Sequence, residues 1–171
     1  SVAYGAKSFV TVEPPIGAAL GLESRLADLV VFGSPASGRG ISPLGDAFRQ
    51  VLAHEQRPVL VADGPVAVGE LVAVAWDGGK EATRAARTAL PLLQRSGEVV
   101  VLTAENAASR GVDPGRLVEF LSIRGVKARL EPVRSGHDVA RQLLDTARDV
   151  GAALLVAGAF GHPRLQEFVF G

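Results

Sequence analysis

From Leu71 onward the apolar positions switch between two spacings, and the switching predicts the elements. Leu71 to Trp76 is an unbroken apolar run of strand length, as expected where both faces of a sheet are covered. Residues 80–95 follow with Ala82, Ala85, Ala86, Ala89, Leu90 and Leu93 on one helical face, and Pro91 should bend or end that helix early. Val99 to Thr103 is a second buried run. Asp113-Pro114 then supplies an N-cap carboxylate and a first-turn proline, and Leu117, Val118 and Leu121 carry the stripe to a closing Gly125. Val126 to Val133 behaves differently: Val126, Ala128 and Leu130 alternate with Lys127, Arg129 and Glu131, and Pro132 removes a ladder donor. Alternation with a proline marks a sheet edge. A helix from about Asp138 to Val150 turns Val139, Ala140, Leu143, Leu144, Ala147 and Val150 inward and stops at Gly151, before a fourth strand over Ala152 to Ala157. The sequence of elements is β-α-β-α-β-α-β-α, which predicts a doubly wound, Rossmann-like parallel sheet with helices on both faces. With strand three at an edge, the order is 3-2-1-4, or 3-2-1-4-5 once a fifth strand is added.

A fifth strand is expected after Gly171, where the sequence stops, and the N-terminal part supplies a clue about it. Ala27 to Gly33 (A-D-L-V-V-F-G) reads like Ala152 to Gly158 (A-A-L-L-V-A-G). A Ser/Pro/Gly loop follows, then a helix with Leu44, Phe48, Val51 and Leu52, then a strand from Pro58 to Ala62. This is the back half of the same unit: strand four, helix four, strand five. Ser8 to Glu13 is expected to be one earlier strand. A whole unit does not fit before it, so the chain reads as two related copies, the first shortened or incomplete. Asp63 to Gly69, with Pro65 and two glycines, reads as the connection. The expected organisation is therefore a partial copy over 1–64, a linker over 65–70 and a fuller domain over 71–171.

Composition narrows the class. The chain has 171 residues, enough for one domain or two small ones, and a fold of that size buries about 70% of its unfolded surface. Hydrophobic residues make up 47% but aromatics only 5%, which suits small strands against alanine-faced helices and argues against disorder. Lysine and arginine (18) balance aspartate and glutamate (18), and the basic residues are scattered, so neither nucleic acid nor an anionic membrane is expected as a partner. There is no cysteine, hence no disulfide frame, thiolate nucleophile or cysteine metal site, in keeping with a reducing, cytoplasmic setting. No apolar run approaches the roughly 20 residues that span a bilayer. The chain also has no methionine, so residue 1 is not expected to be the start of the gene product.

The closing stretch, Leu154 to Gly171, breaks from a strand at Gly158, bends again at Gly161 and enters a helical pattern of Leu165, Phe168 and Val169. Strand, glycine loop and helix start in that order suit an anion cradle, because the helix amides face outward and the glycines admit a phosphate to the main chain. Any α/β protein also needs glycines after a strand, and on spacing alone both readings stay open. The wider pattern adds to this. A strand ending in Asp77 within A-W-D-G-G, an alanine-rich helix, and Gly158, Gly161 and Gly171 in the spacing G-x-x-G-(nine residues)-G resemble the universal stress proteins. V-A-W-D-G-x-x-E-A-x-R-A and G-A-x-L-L-V-A-G-A-x-G-H-x-R-L-x-E are especially similar to the tandem-repeat bacterial members. The resemblance covers Leu71 to Gly171 well and Ala27 to Ala62 more loosely.

The resemblance implies a stress-response regulatory or binding protein with an ATP site in the second copy, the ATP carried with magnesium. Asp77 and the following Gly78 would lie by the adenine and ribose, Ala104 would meet the adenine through its backbone, and the phosphates would rest on Gly158 and Gly161, with the helix start at Gly171. His162 and Arg164 beside that loop are candidate phosphate contacts, although a solvated cap and a solvated arginine are the plainer readings. The family also pairs domains through fifth strands, which implies a homodimer or an internal pseudo-dimer. Departures exist. Gly79 stands where the family often has a hydroxyl, no residue with a hydroxyl follows Gly171, and Gly33-Ser34-Pro35 breaks the glycine spacing in the first copy.

Each residue has a structural alternative. Asp77-Gly78 is also a common tight-turn pair. Trp76 can simply fill core at the strand end, His137 can pack at a helix start, His54 can favour the end of a helix dipole, and Arg39 can be loop surface. Catalytic motifs are few. There is no G-x-x-x-x-G-K-[ST], no G-x-S-x-G, no G-x-G-x-x-G after strand one, and the three histidines are scattered, so no metal site is expected. Binding is therefore expected ahead of turnover, with at most a weak ATPase. Two other readings stay open on the sequence: a nucleotide-fold enzyme with slow ATP hydrolysis or adenylyl transfer, and a dimerisation module that binds no nucleotide.

Overall fold

In the computed structural model, which describes residues 10–33, 43–62, 70–104, 111–133 and 138–158, the chain forms two units, Ser1–Val61 and Ala62–Gly171. The elements run α1 (Ile16–Ser24), β1 (Val30–Gly33), α2 (Pro43–Arg49) with a π-helical continuation (Gln50–His54), β2 (Val59–Ala62), β3 (Leu71–Trp76), α3 (Lys80–Thr88), α4 (Leu90–Leu93), β4 (Glu98–Ala104), α5 (Pro114–Ser122), β5 (Ala128–Val133), α6 (Val139–Asp149) and β6 (Leu154–Val156).

In the second unit the strands are all parallel and lie in the order β5-β4-β3-β6. That is the expected 3-2-1-4, with no fifth strand beside β6 among the described residues. The unbroken apolar runs have become the two central strands because successive side chains serve opposite faces. Val72, Val74 and Trp76 of β3 and Val99 and Val101 of β4 pack with Ala82, Ala86, Leu93, Leu117 and Leu121 from α3, α4 and α5. Ala73, Ala75, Val100 and Leu102, one residue out of step, pack with Leu143 and Ala147 of α6 and with Val133. Helices thus cover both faces, as doubly wound folds require.

The helix ends follow local chemistry. Pro91 lies in the first turn of α4, where its missing N–H costs nothing, so the predicted helix over residues 80–95 splits at Ala89. Asp113 caps α5 by accepting from the Gly115 amide at 2.8 Å, and Asp138 caps α6 by accepting from the Arg141 amide at 3.1 Å. Gly125 and Gly151 follow α5 and α6 with φ of 76° each, the left-handed turn that glycine takes without a Cβ clash. β5 is the edge strand expected of Pro132, and it is guarded by charge: Lys127 and Arg129 reach Glu98 at 3.8 and 3.5 Å, and Arg129 also pairs with Glu131.

The first unit holds α1, β1, α2 with its π-helical turn, and β2, with β1 and β2 paired in one small sheet. Its core is Ala47, Phe48 and Val51, with the Phe32 ring edge-on to Phe48 at 5.5 Å between centroids. The structure corrects one expectation here. Val10 to Glu13 forms no strand, and the helix α1 occupies residues that the pattern left unassigned (Ser8 lies outside the described residues). The helix escaped because its buried positions are a glycine and a serine, Gly21 and Ser24, rather than a stripe of large apolar residues. A Cβ on Gly17 would sit 3.7 Å from the Asp46 and Ala47 backbone, and one on Gly21 would meet the Gln50 side chain at 3.0 Å. A second correction concerns the last strand. β6 is shorter than Ala152 to Ala157 and is half-buried throughout, because it lies at the sheet's other margin. Among the described residues no helix is long and apolar enough to cross a membrane.

Two outcomes test this packing. Leu121→Ala, at a fully buried position, should cost about 2–5 kcal/mol in urea unfolding, whereas Ile123→Ala, 74% exposed on the same helix end, should stay within about 0.5 kcal/mol. In the first unit the Arg25 guanidinium hydrogen-bonds Glu55 at 2.9 Å and holds its carboxyl below the usual glutamate range. A carboxyl whose pKa is depressed on folding adds stability above its unfolded value, and that stability is lost as pH falls through the folded value. NMR titration of Glu55 should therefore give a midpoint below that of a free glutamate, and Arg25→Met should move it upward.

Candidate functional site

Parallel strands bring their carboxyl ends to one rim, and the register sets which residues meet there. Trp76 of β3 lies level with Thr103 of β4, so Asp77 and Ala104 follow at the same height. Val74 lies level with Val156 of β6, so Gly158 comes two residues on, at the same end as Asp77. Asp77, Ala104 and Gly158 thus occupy the ends of three adjacent strands. This is the place where open α/β sheets form a crevice.

Asp77 is half-buried, and its carboxylate organises the turn into α3. Its Oδ1 accepts the Gly79 amide at 2.8 Å, an Asx turn, and Gly79 is the N-cap of α3. The Gly79 carbonyl accepts both the Thr83 amide at 3.0 Å and the Thr83 hydroxyl at 2.8 Å. A Cβ on Gly79 would lie only 3.0 Å from Asp77 Oδ1, so the hydroxyl that the family pattern has here would crowd the carboxylate.

Gly78 is fixed from the other side. It has φ of 76°, and a Cβ there would meet the Val112 nitrogen at 2.6 Å and oxygen at 2.7 Å. Gly111 is equally constrained, since its Cβ would lie 2.3 Å from the Gly78 oxygen. Two hydrogen bonds close the contact: the Val112 amide donates to the Gly78 carbonyl at 2.9 Å, and the Trp76 indole Nε1–H donates to the Val112 carbonyl at 2.9 Å. Trp76 is buried in the core as expected, yet its polar edge has this second task. Sequence reasoning missed Gly111 and Val112. The signals available were the glycine just before the Asp113 cap and the need of a buried indole N–H for a partner.

Gly158 meets α3. A Cβ there would approach the Ala82 nitrogen and the Glu81 carbonyl carbon to 2.7 Å. Its missing side chain therefore lets β6 end against the first turn of α3, which is a different reason for glycine from the approach of a phosphate. Ala104, half-buried, is the last residue of β4 and is level with Val133 of β5. Gly161, His162, Arg164 and Gly171 lie outside the described residues, as do His137 and Arg39. His54 ends the π-helical turn of the first unit. Among the described residues no three His, Cys, Asp or Glu side chains gather as a metal site.

No family model matches the chain, and no curated protein matches it. Among solved structures it is similar to a universal stress protein from Archaeoglobus fulgidus DSM 4304, with a TM-score of 0.67 and 17% identity, over 91% of this chain and 58% of that one. A protein from the universal stress protein family of Burkholderia pseudomallei matches at 27% identity with a TM-score of 0.41, over 56% of this chain and 85% of that one. The chain thus spans little more than half the length of the Archaeoglobus protein, and the likeness to it shows a shared α/β fold.

The glycine at 78 is testable against Gly125, which has the same φ of 76° but nothing within 4 Å of its Cβ position. Gly125→Ala should cost about 1–2 kcal/mol for the left-handed backbone alone. Gly78→Ala should cost a further ~1–3 kcal/mol for overlap with Val112. Urea unfolding of the two variants measures the difference.

Proposed function

We propose that the chain is a stress-response regulatory protein of the universal stress protein family and that its second unit binds an adenine nucleotide, ATP with magnesium, at the rim of the sheet. The observation that carries the reading is the convergence of Asp77, Ala104 and Gly158 on three adjacent strand ends. The shared fold with the Archaeoglobus protein supports it.

The residues fit the roles. An ionised carboxylate accepts up to about four hydrogen bonds, so Asp77 can keep the Gly79 amide and also accept ribose hydroxyls. Ala104 presents backbone groups where its strand ends, suited to the edge of an adenine. Phosphates would rest on the loop of Gly161, with His162 and Arg164 as charge partners and the helix start at Gly171 beyond. Gly158 takes part by letting that loop leave β6 close against α3. The magnesium complex of ATP would supply the triphosphate and the metal ion, and the protein's part is to hold and orient them. The effect is to order the rim rather than to turn the nucleotide over.

The first unit joins this reading as the back half of a first, shortened copy. The pairing of β1 with β2 in one sheet supports reading them as strands four and five of that copy, with β2 the strand through which an internal pseudo-dimer or a homodimer would form.

Titration with magnesium ATP checks the site. At a ligand concentration one hundred times the dissociation constant, binding adds about 2.7 kcal/mol, so the melting temperature should rise by about 5–10 °C. Asp77→Ala should weaken binding about 10- to 100-fold, the loss expected for a hydrogen bond to a charged group. A melting curve unmoved by ATP, ADP and AMP at millimolar concentrations would overturn the assignment.

A further inference from the structure

Residues 76–78 and 111–112 form a closed clasp around Asp77. The Trp76 indole donates to the Val112 carbonyl, and the Val112 amide donates to the Gly78 carbonyl, both at 2.9 Å. Between the two bonds the Gly78 and Gly111 backbones touch with no room for a Cβ on either. Asp77 is the middle residue of the clasped segment, and on the opposite side its carboxylate holds the Gly79 amide. Its main chain is therefore fixed at both neighbours by a piece of chain more than thirty residues away. We propose that Trp76, Gly78, Gly111 and Val112 are positioning residues for the Asp77 carboxylate, so that the segment preceding α5 sets the affinity of the rim for its ligand.

The physical reason is orientation. A strand that leaves its sheet has lost the ladder that fixed its backbone, and an Asp-Gly turn on its own samples several conformations. Ordering Asp77 before a ligand arrives removes that cost from binding. The indole contributes in two ways. Its ring lies in the core between β3 and the helices, 5% exposed, and its N–H reaches out of that core to the rim. Phenylalanine keeps an aromatic ring in that core while losing the donor and part of the ring volume, and the volume loss is controlled by a second buried truncation on the same strand. Trp76 is also the chain's sole tryptophan, so its indole N–H is a single, assignable NMR signal at the site.

The ligand arm of the test rests on the nucleotide reading above, whereas the amide arm does not. In the amide arm, hydrogen exchange of Gly79 reports whether the Asp77 carboxylate is in place, because that amide donates to Asp77 Oδ1. Trp76→Phe should speed Gly79 exchange about fivefold, the loss expected for one hydrogen bond. Val72→Ala, a fully buried change at the far end of the same strand, should lower the unfolding midpoint and leave Gly79 exchange as it was. Unchanged Gly79 exchange in Trp76→Phe would overturn the inference. In the ligand arm, magnesium ATP should bind Trp76→Phe about fivefold more weakly and Val72→Ala with unaltered affinity. Equal affinity in Trp76→Phe and the parent chain would also overturn it. If the parent chain binds no adenine nucleotide, the nucleotide reading fails and the amide arm alone decides the clasp. Should Trp76→Phe not fold, exchange in the parent chain decides. The Trp76 indole N–H and the Val112 amide should be protected together, and an indole N–H exchanging at the rate of free tryptophan overturns the proposal.

Discussion

The structure depends on a constraint of parallel pairing. Strands that run the same way can be joined only by crossovers that lie on the faces of the sheet, so both faces must be apolar and all carboxyl ends must meet on one rim. In this chain the first consequence is the continuous apolar run of β3 and β4, with alternate residues assigned to α3, α4 and α5 or to α6. The second is the site. Asp77, Ala104 and Gly158 are far apart in the chain, yet parallel register alone brings them to one end of three neighbouring strands.

A rim built this way has a weakness, because strand ends leave backbone groups without their ladder partners. The chain meets it with close backbone contact rather than with long polar side chains. Gly78 touches Gly111 and Val112, and Gly158 touches Glu81 and Ala82, each at a separation that no Cβ would permit. Glycine is costly elsewhere in a fold, since it gives up the most freedom on ordering. At Gly78 the cost is offset by a hydrogen bond that only such proximity allows, from the Val112 amide to the Gly78 carbonyl.

Much of this was legible in the residues, and the parts that were not share a cause. The pattern placed β3, the split of a helix at Pro91, the Asp113 and Asp138 ends and the edge character of β5, because each is a local preference that tertiary packing reinforces. It missed α1, where the buried residues are Gly21 and Ser24 and no large apolar stripe announces a helix. It also missed the clasp, because Val112 and Gly78 meet through main-chain atoms, which no side-chain pattern encodes. For Gly158 the residue was singled out correctly as special, but the close neighbour is the first turn of α3. A glycine announces that something comes near, and the sequence alone does not say what.

Gly79 shows how a departure from the pattern that the sequence resembles can follow from the geometry around it. Read along the chain, it is a lost hydroxyl at the start of α3. In three dimensions its amide belongs to Asp77, and a Cβ would lie 3.0 Å from the carboxylate oxygen that accepts it. A serine here would have to push that oxygen aside. The hydroxyl that does act at this turn comes from Thr83, one helical turn on, which together with its own amide holds the Gly79 carbonyl. Asp77 thereby organises the beginning of α3 while standing at the rim of the sheet. The Gly158 end of β6 packs against the same first turn of α3, so the two strand ends meet through one turn of helix.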